Sequence, residues 1–307
     1  MDFQFPPALD TVPLFHQGKT RDTFPTASAG TLLIVATERL STHNVIHQSA
    51  VPYKAQVLTA LTIFWLKRVL EQQGIAHHLV AYGPAIYEHL QGDRSQYPDD
   101  LHLRAIVVKK LKMIPIEFIF RAYLAGSLYR SFYSKGKEDP YGLRLLPGLE
   151  LMHEFPDPAF TPTQKSADDE PMDAADVWFI QAKAVNLARN TFLSVRRHMR
   201  DRGLELVDSK FEIGLNEKED VVLADEVATP DSSRFCRRSD IKLGQEPPWL
   251  DKQVARDEAE RIWAGGEKAP LTFNPGVVQR LSDTYFEVFA GITGMHLKEF
   301  QGRFMGD

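Results

Sequence analysis

Two periodicities take turns along the chain. In residues 207 to 213, Val207, Ser209, Phe211 and Ile213 interleave with Asp208, Lys210 and Glu212, the period-two signature of a strand. Gly214 and the polar run 216 to 220 then read as a turn, and residues 221 to 227 as a returning strand. A loop of 217 to 220 would set Asn216 opposite Val221 and, in the same register, Glu212 opposite Asp225. Residues 116 to 124 are strand-like as well, with Glu117, Ile119, Arg121 and Tyr123 on one face. Shorter strands are predicted at 14 to 17, 31 to 37, 78 to 81 and 103 to 108, with a helical turn at 85 to 90.

The 3.6-residue period appears at 54 to 73, where Val57, Leu58, Leu61, Trp65, Val69 and Leu70 form one stripe and Gly74 supplies the stop. It returns at 174 to 202, stopped by Gly203, at 251 to 263, and at 277 to 292 with Leu281, Tyr285, Val288 and Phe289. Residues 38 to 48 read as a polar loop and 134 to 172 as a long irregular stretch of the kind that is functional or disordered. The mixture is α+β. Residues 110 to 114 would be a hinge between an N-terminal lobe, 1–114, and a larger lobe, 115–307.

Several positions on this frame could carry chemistry. Carboxylates facing each other across a strand pair cost within ~0.2 to 1 kcal/mol, and a divalent cation would turn that cost into a binding site. Lys210, on the face of Glu212, could then neutralise a phosphate; a solvated strand edge with incidental charges fits the same pattern. Gly18-Lys19-Thr20 suggests a Walker A loop, but Pro13 stands where its first glycine belongs and Phe24-Pro25 where its helix belongs. A glycine turn covering phosphates with Lys19 remains open. His43 and His47 have zinc spacing, but Asn44 replaces the glutamate of the metalloprotease motif. Ala125-Gly126-Ser127 closes the strand at 116 to 124 and opens a helix with Ser127 as N-cap. That is an anion site near Arg121, or simply a capped helix.

Composition narrows the setting. The 307 residues carry 36 basic and 41 acidic side chains, a net charge of -5, so no basic excess points to nucleic acid. Cys236 is the single cysteine, which excludes an intramolecular disulfide and suits a reducing compartment. Neither a signal-like N-terminus nor an apolar run of about 18 residues is visible, and the expectation is a cytoplasmic protein with no membrane partner. No heptad or apolar surface stripe announces an oligomer.

Six segments together resemble one family. They are GKTRD at 18 to 22, ERLS at 38 to 41, PIEFIFRAYLAGS at 115 to 127, FTPTQK at 160 to 165, LVDSKFEIG at 206 to 214 and LADEVATPDSSRF at 223 to 235. In this order they resemble the phosphoribosylaminoimidazole-succinocarboxamide synthases, or SAICAR synthetases, over nearly the whole chain. The resemblance implies a two-lobed α+β fold with a kinase-like N-terminal nucleotide lobe and a C-terminal helical element, ATP bound between the lobes. It implies an ATP-dependent ligase of purine biosynthesis that phosphorylates the carboxylate of carboxyaminoimidazole ribonucleotide and lets the amine of L-aspartate displace phosphate. ATP and Mg2+ would be the cofactors, and the partners small-molecule substrates.

The same resemblance distributes roles. Glu212 and Asp225 would hold the metal, with Lys210 and Asp208 catalytic on the nucleotide and reacting-phosphate side. Gly18, Lys19, Arg21, Lys112, Met113 and Lys210 would bind ATP. Arg121, Gly126, Ser127, Asp231 and Arg234 would hold the ribonucleotide, with Lys252, Arg256, Ser41 and Asn44 also on the substrate side. The sequence departs from the family pattern at Asn44, where an acidic residue is usual, at Tyr53 and Ala55 around Lys54, at Ala125, and at 167 to 170. Most departures lie in substrate-side loops, which leaves open an amide ligase with another carboxylate or amine. A nucleotide-binding protein without catalysis is the remaining reading, opposed by the retention of Lys210, Glu212 and Asp225.

Overall fold

The computed structural model describes residues 8–10, 12–166 and 169–306. They gather into two compact units, one formed by residues up to Ile63, by His78–Lys110 and by the chain from Lys252 onward, the other by Phe64–His77 and Leu111–Asp251. The change at 110/111 lies close to the expected boundary at 114. The C-terminal helices, expected in the larger lobe, belong to the first unit, because their apolar faces are buried there.

In the first unit the strands β1 (His16–Gln17), β2 (Arg21–Pro25) and β3 (Thr31–Ala36) lead to a hairpin of β4 (Arg39–Thr42) and β5 (Val45–Ala50). Helix α1 (Lys54–Phe64), β6 (Leu79–Tyr82), α2 (Leu101–Arg104) and β7 (Ala105–Lys109) follow. The main sheet is antiparallel in the order β1-β2-β3-β7-β6. Its core joins Phe24, Leu33, Val35 and Val107 to Ile86, Tyr97 and Leu101. The stretch 38 to 48 is thus a hairpin and not the expected loop. Thr42 pairs with Val45 across a two-residue turn, and His43 and Asn44 take φ of 50° and 65°, the left-handed pair a tight hairpin requires. β4 is buried along its whole length although Arg39, Ser41 and Thr42 are polar, so hydrophobic alternation does not mark it.

The expected helix 54 to 73 changes winding along its length. After α1 come a π-helical turn, Trp65–Leu70, and a 3-10 turn, Glu71–Gln73, ended as anticipated by Gly74 at φ 71°.

The second unit holds a seven-stranded sheet built from β8 (Lys112–Met113), β9 (Ile116–Tyr123), β10 (Glu154–Phe160), β11 (Thr163–Gln164), β12 (Leu204–Leu215), β13 (Val221–Ala224) and β14 (Ser233–Arg237). Helix α3 (Ala174–Arg200) covers its apolar face, where Phe192 meets Phe120 and where Phe118, Phe211 and Ile213 are fully buried. Asp173 caps α3 by accepting from the amides of Ala175 and Asp176, and Gln181 interrupts it with φ −130° and ψ 31°. Part of the irregular stretch 134 to 172 is therefore ordered as β10 and β11 against β9. Ala167 and Asp168, among the departing positions, lie outside the described residues.

β12 has different neighbours at its two ends. Its first half runs between β9 and β14, and its second half pairs with β13 and β8. Leu215 faces Val221, so Glu212 faces Ala224, one residue away from the expected Asp225. The cause is Asn216, whose side-chain oxygen accepts from the amides of Lys218 and Asp220 at 2.9 Å each and so draws Asn216 into the turn. The chain then returns to the first unit through α4 (Gln253–Trp263), α5 (Pro275–Thr293) and α6 (Leu297–Phe304), the last unread in the sequence. Ala255, Ala259, Trp263, Val277 and Leu281 pack there on Leu40 and Val51.

Candidate active site

Three neighbouring strands in the second unit put one carboxylate between two guanidiniums. Asp208 on β12 is the cross-strand partner of Arg121 on β9 and of Arg234 on β14. Its Oδ2 accepts from Arg121 Nη1 at 2.9 Å and from Arg234 Nη1 at 2.5 Å. Arg121 is 4% exposed and also donates to Thr161 Oγ1 at 2.9 Å and Ser127 Oγ at 3.2 Å. The Tyr141 hydroxyl meets the same guanidinium, and burial pushes its pKa up. Ser127 does not cap its helix as anticipated. Its backbone is already helical (φ −64°, ψ −35°), and its hydroxyl is turned to Arg121.

Gly126 is required beside it. Its φ is +58°, and a Cβ there would stand 1.7 Å from Arg234 Nη1. Asp231 lies just before β14, its amide bonded to Thr229 Oγ1 at 3.3 Å.

Two residues further along the same face of β12, Lys210 Nζ donates to Glu117 Oε1 at 2.6 Å, and Thr163 Oγ1 donates to Glu117 Oε2 at 3.0 Å. Burial alone would push the Lys210 pKa down; the carboxylates of Glu117, Glu212 and Asp225 outweigh it and hold that pKa above the ordinary lysine value. Next along, Glu212 accepts from Lys165 Nζ. Asp225 follows β13 directly in the left-handed region, at φ 56°. Among the described residues no three His, Cys, Asp or Glu side chains form a metal cage. Glu212 and Asp225 both act on Lys210 through their charge; a magnesium ion held by so few carboxylates would take its other ligands from phosphates and water. Lys112 and Met113 on β8 pair with Leu215 and Gly214, extending the same sheet.

The first unit gathers the remaining candidates. Gly18 forms a tight turn, its amide donating to the Arg21 carbonyl at 2.7 Å. Arg39 anchors that turn through the Gly18 carbonyl at 3.0 Å, the Lys19 carbonyl at 3.3 Å and Asp22 at 2.5 Å. Lys19 Nζ donates to Asn44 Oδ1 at 2.6 Å, so a residue expected at the substrate touches one expected at the nucleotide. Ser41 is buried on β4. Lys252 precedes α4, and Arg256 Nη1 donates to Gln253 Oε1 at 3.1 Å. Burial, then the charges of His43 and Lys252, push the His47 pKa down to about 4. Sequence reasoning gave no role to Tyr141, Thr163, Lys165, Arg39 or Asp22. Glu117 and Lys165 were within reach, one on the predicted face of Arg121 and the other closing FTPTQK.

The sequence profile described as SAICAR synthetase matches residues 14–271. The chain belongs to the SAICAR synthetase family. SAICAR synthetases are ATP-dependent ligases that join aspartate to carboxyaminoimidazole ribonucleotide in purine biosynthesis. A phosphoribosylaminoimidazole-succinocarboxamide synthase of Saccharomyces cerevisiae is 34% identical over 299 residues, 92% of this chain and 95% of that protein. One from Cupriavidus taiwanensis is 32% identical over 309 residues, 95% and 97% of the two chains. The solved SAICAR synthase from Saccharomyces cerevisiae complexed with SAICAR superposes with a TM-score of 0.82 at 33% identity, covering 95% of this chain and 98% of that one. The expected family and α+β fold are borne out. Among the described residues no helix is long and apolar enough to cross a membrane.

Proposed function

We propose that this SAICAR synthetase performs the family reaction on the residues assembled above: ATP phosphorylates the carboxylate of carboxyaminoimidazole ribonucleotide, and the amine of L-aspartate attacks the acyl phosphate. The carbonyl carbon gains a C–N bond, phosphate leaves, and the amine releases a proton. The observation that carries the reading is the Asp208 register, which holds two guanidiniums, Arg121 and Arg234, beside Gly126 and Ser127. That set suits the ribonucleotide phosphate, with Asp208 aligning the arginines in the absence of substrate.

Lys210 is an electrostatic catalyst in this scheme. Carboxylates hold its pKa above the ordinary lysine value, so it is an ammonium at neutral pH and neutralises phosphoryl charge without taking the proton of the amine. Glu212 and Asp225 would hold Mg2+, which supplies further neutralisation of phosphate charge. In the first unit Lys19, Arg21 and the Gly18 turn are assigned to ATP, and Ser41, Asn44, Lys252 and Arg256 to substrate. Lys112 and Met113 are assigned to adenine.

The test is ADP release with Mg-ATP, L-aspartate and carboxyaminoimidazole ribonucleotide, omitting each component in turn, with mass detection of the product. Turnover that needs all of them and yields the succinocarboxamide is the expected result. Silence with this pair, together with ADP release on another carboxylate and amine, would overturn the substrate assignment.

A further inference from the structure

The segment Asp225 to Arg234 links the proposed metal carboxylate to the proposed phosphate arginine, and its backbone is under tension. Asp225 and Ala228 both lie in the left-handed region, at φ 56° and 45°. Neither is glycine, and alanine has no side-chain hydrogen bond with which to compensate. Ala228 and Thr229 are fully buried. Local contacts tie down the far end of the segment. Thr229 Oγ1 donates to Glu226, the Ser232 amide donates to the Thr229 carbonyl at 3.1 Å, and the Lys210 amide donates to the Ser232 carbonyl at 3.1 Å.

The strained residue itself is gripped from a distant part of the chain. Trp65 Nε1 donates to the Ala228 carbonyl at 3.2 Å, and the Trp65 side chain is fully buried. Trp65 opens the π-helical turn that interrupts the expected helix 54 to 73, and π-turns recur at functional sites. The same stretch of the second unit holds the root of this segment. The Leu223 amide donates to the Ala76 carbonyl at 3.0 Å, and His77 forms a parallel bridge with Leu223. The indole ring is itself fixed by edge contacts with Phe64 and His198 at centroid distances of 5.4 and 5.2 Å.

We propose that Trp65 is a positioning residue: its indole N–H latches the Ala228 carbonyl, keeps Ala228 in the left-handed region, and thereby sets where Asp225 presents its carboxylate. The effect on cation affinity rests on the reading of Asp225 as a metal carboxylate. The latch on the backbone does not.

The experiment uses Trp65→Phe, which keeps an aromatic ring and removes the N–H, and the same change combined with Ala228→Gly. Glycine accepts φ 45° without a latch, so the double variant separates latching from packing. Two readouts are taken on the full chain: amide hydrogen exchange of residues 226 to 233, and Mn2+ binding in the presence of ADP followed by the spin-resonance signal of the free ion.

Trp65→Phe is expected to accelerate exchange in this segment by about tenfold and to weaken Mn2+ by about five- to tenfold. Adding Ala228→Gly should restore most of both. Unchanged exchange in Trp65→Phe, or a loss that Ala228→Gly does not restore, would overturn the proposal, because a purely packing role for the ring is blind to residue 228. If Trp65→Phe alone fails to fold, recovery of a folded protein in the double variant supports the latch and continued failure overturns it. Absence of Mn2+ binding by the parent chain would refute the metal reading, while exchange would still decide the latch.

Discussion

Gly126→Ala tests the proposed phosphate pocket without replacing any charged residue. The added Cβ would lie 1.7, 2.2 and 2.4 Å from Nη1, Cζ and Nη2 of Arg234, so the guanidinium must leave its place. Leaving breaks its bond to Asp208 and takes it away from the place beside Ser127 proposed for the ribonucleotide phosphate. A charge-assisted bond of this kind contributes about 1.5 to 3 kcal/mol, and holding alanine at φ +58° costs about 1 kcal/mol more, which falls on folding stability. Loss of Arg234 from a bound phosphate should therefore reduce kcat/KM for the ribonucleotide by roughly 10- to 150-fold, at about 1.4 kcal/mol per factor of ten. KM for ATP should stay within about twofold, since the Gly18 turn and β8 carry none of these contacts. The assay is steady-state ADP release with each substrate varied in turn, alongside thermal unfolding. A folded Gly126→Ala enzyme with wild-type KM for the ribonucleotide would refute the pocket, and a defect confined to ATP would move Arg234 to the nucleotide.

Two further outcomes are expected. Glu212→Gln and Asp225→Asn should each abolish measurable turnover in a protein that still folds, with Glu212→Gln melting slightly earlier because it gives up its ion pair with the half-exposed Lys165; wild-type activity in both would sink the metal assignment. His47 should make stability pH-dependent. Its Nδ1 accepts from the Leu271 amide at 3.2 Å and cannot do so once protonated, in keeping with a pKa pushed from 6.5 down to about 4. Because the folded value is the depressed one, the stability is fully present above pH 6.5 and is lost as pH falls from there toward 4, by up to about 1.4 kcal/mol per pH unit. Urea midpoints measured from pH 7 to 5 should fall more steeply in the parent than in His47→Gln, and parallel slopes would contradict the assignment.

The sequence by itself determined which residues face the same way. Period two put Asp208, Lys210 and Glu212 on one face of a strand and Glu117 and Arg121 on one face of another, and the structure keeps both sets. It also determined helix stops such as Gly74, where the left-handed backbone needs glycine, and the motif residues that resemble the family. Periodicity names a face but no neighbour. Only the tertiary structure decided that Asp208 lies between Arg121 and Arg234, which are 87 and 26 residues away along the chain. The one-residue difference that put Ala224 opposite Glu212 came from the Asn216 side chain claiming its own turn. The polar hairpin at 39 to 50 and the regrouping of the C-terminal helices were illegible for a related reason. Burial of His47 depends on partners such as Leu271 and Phe273, which lie more than two hundred residues along the chain.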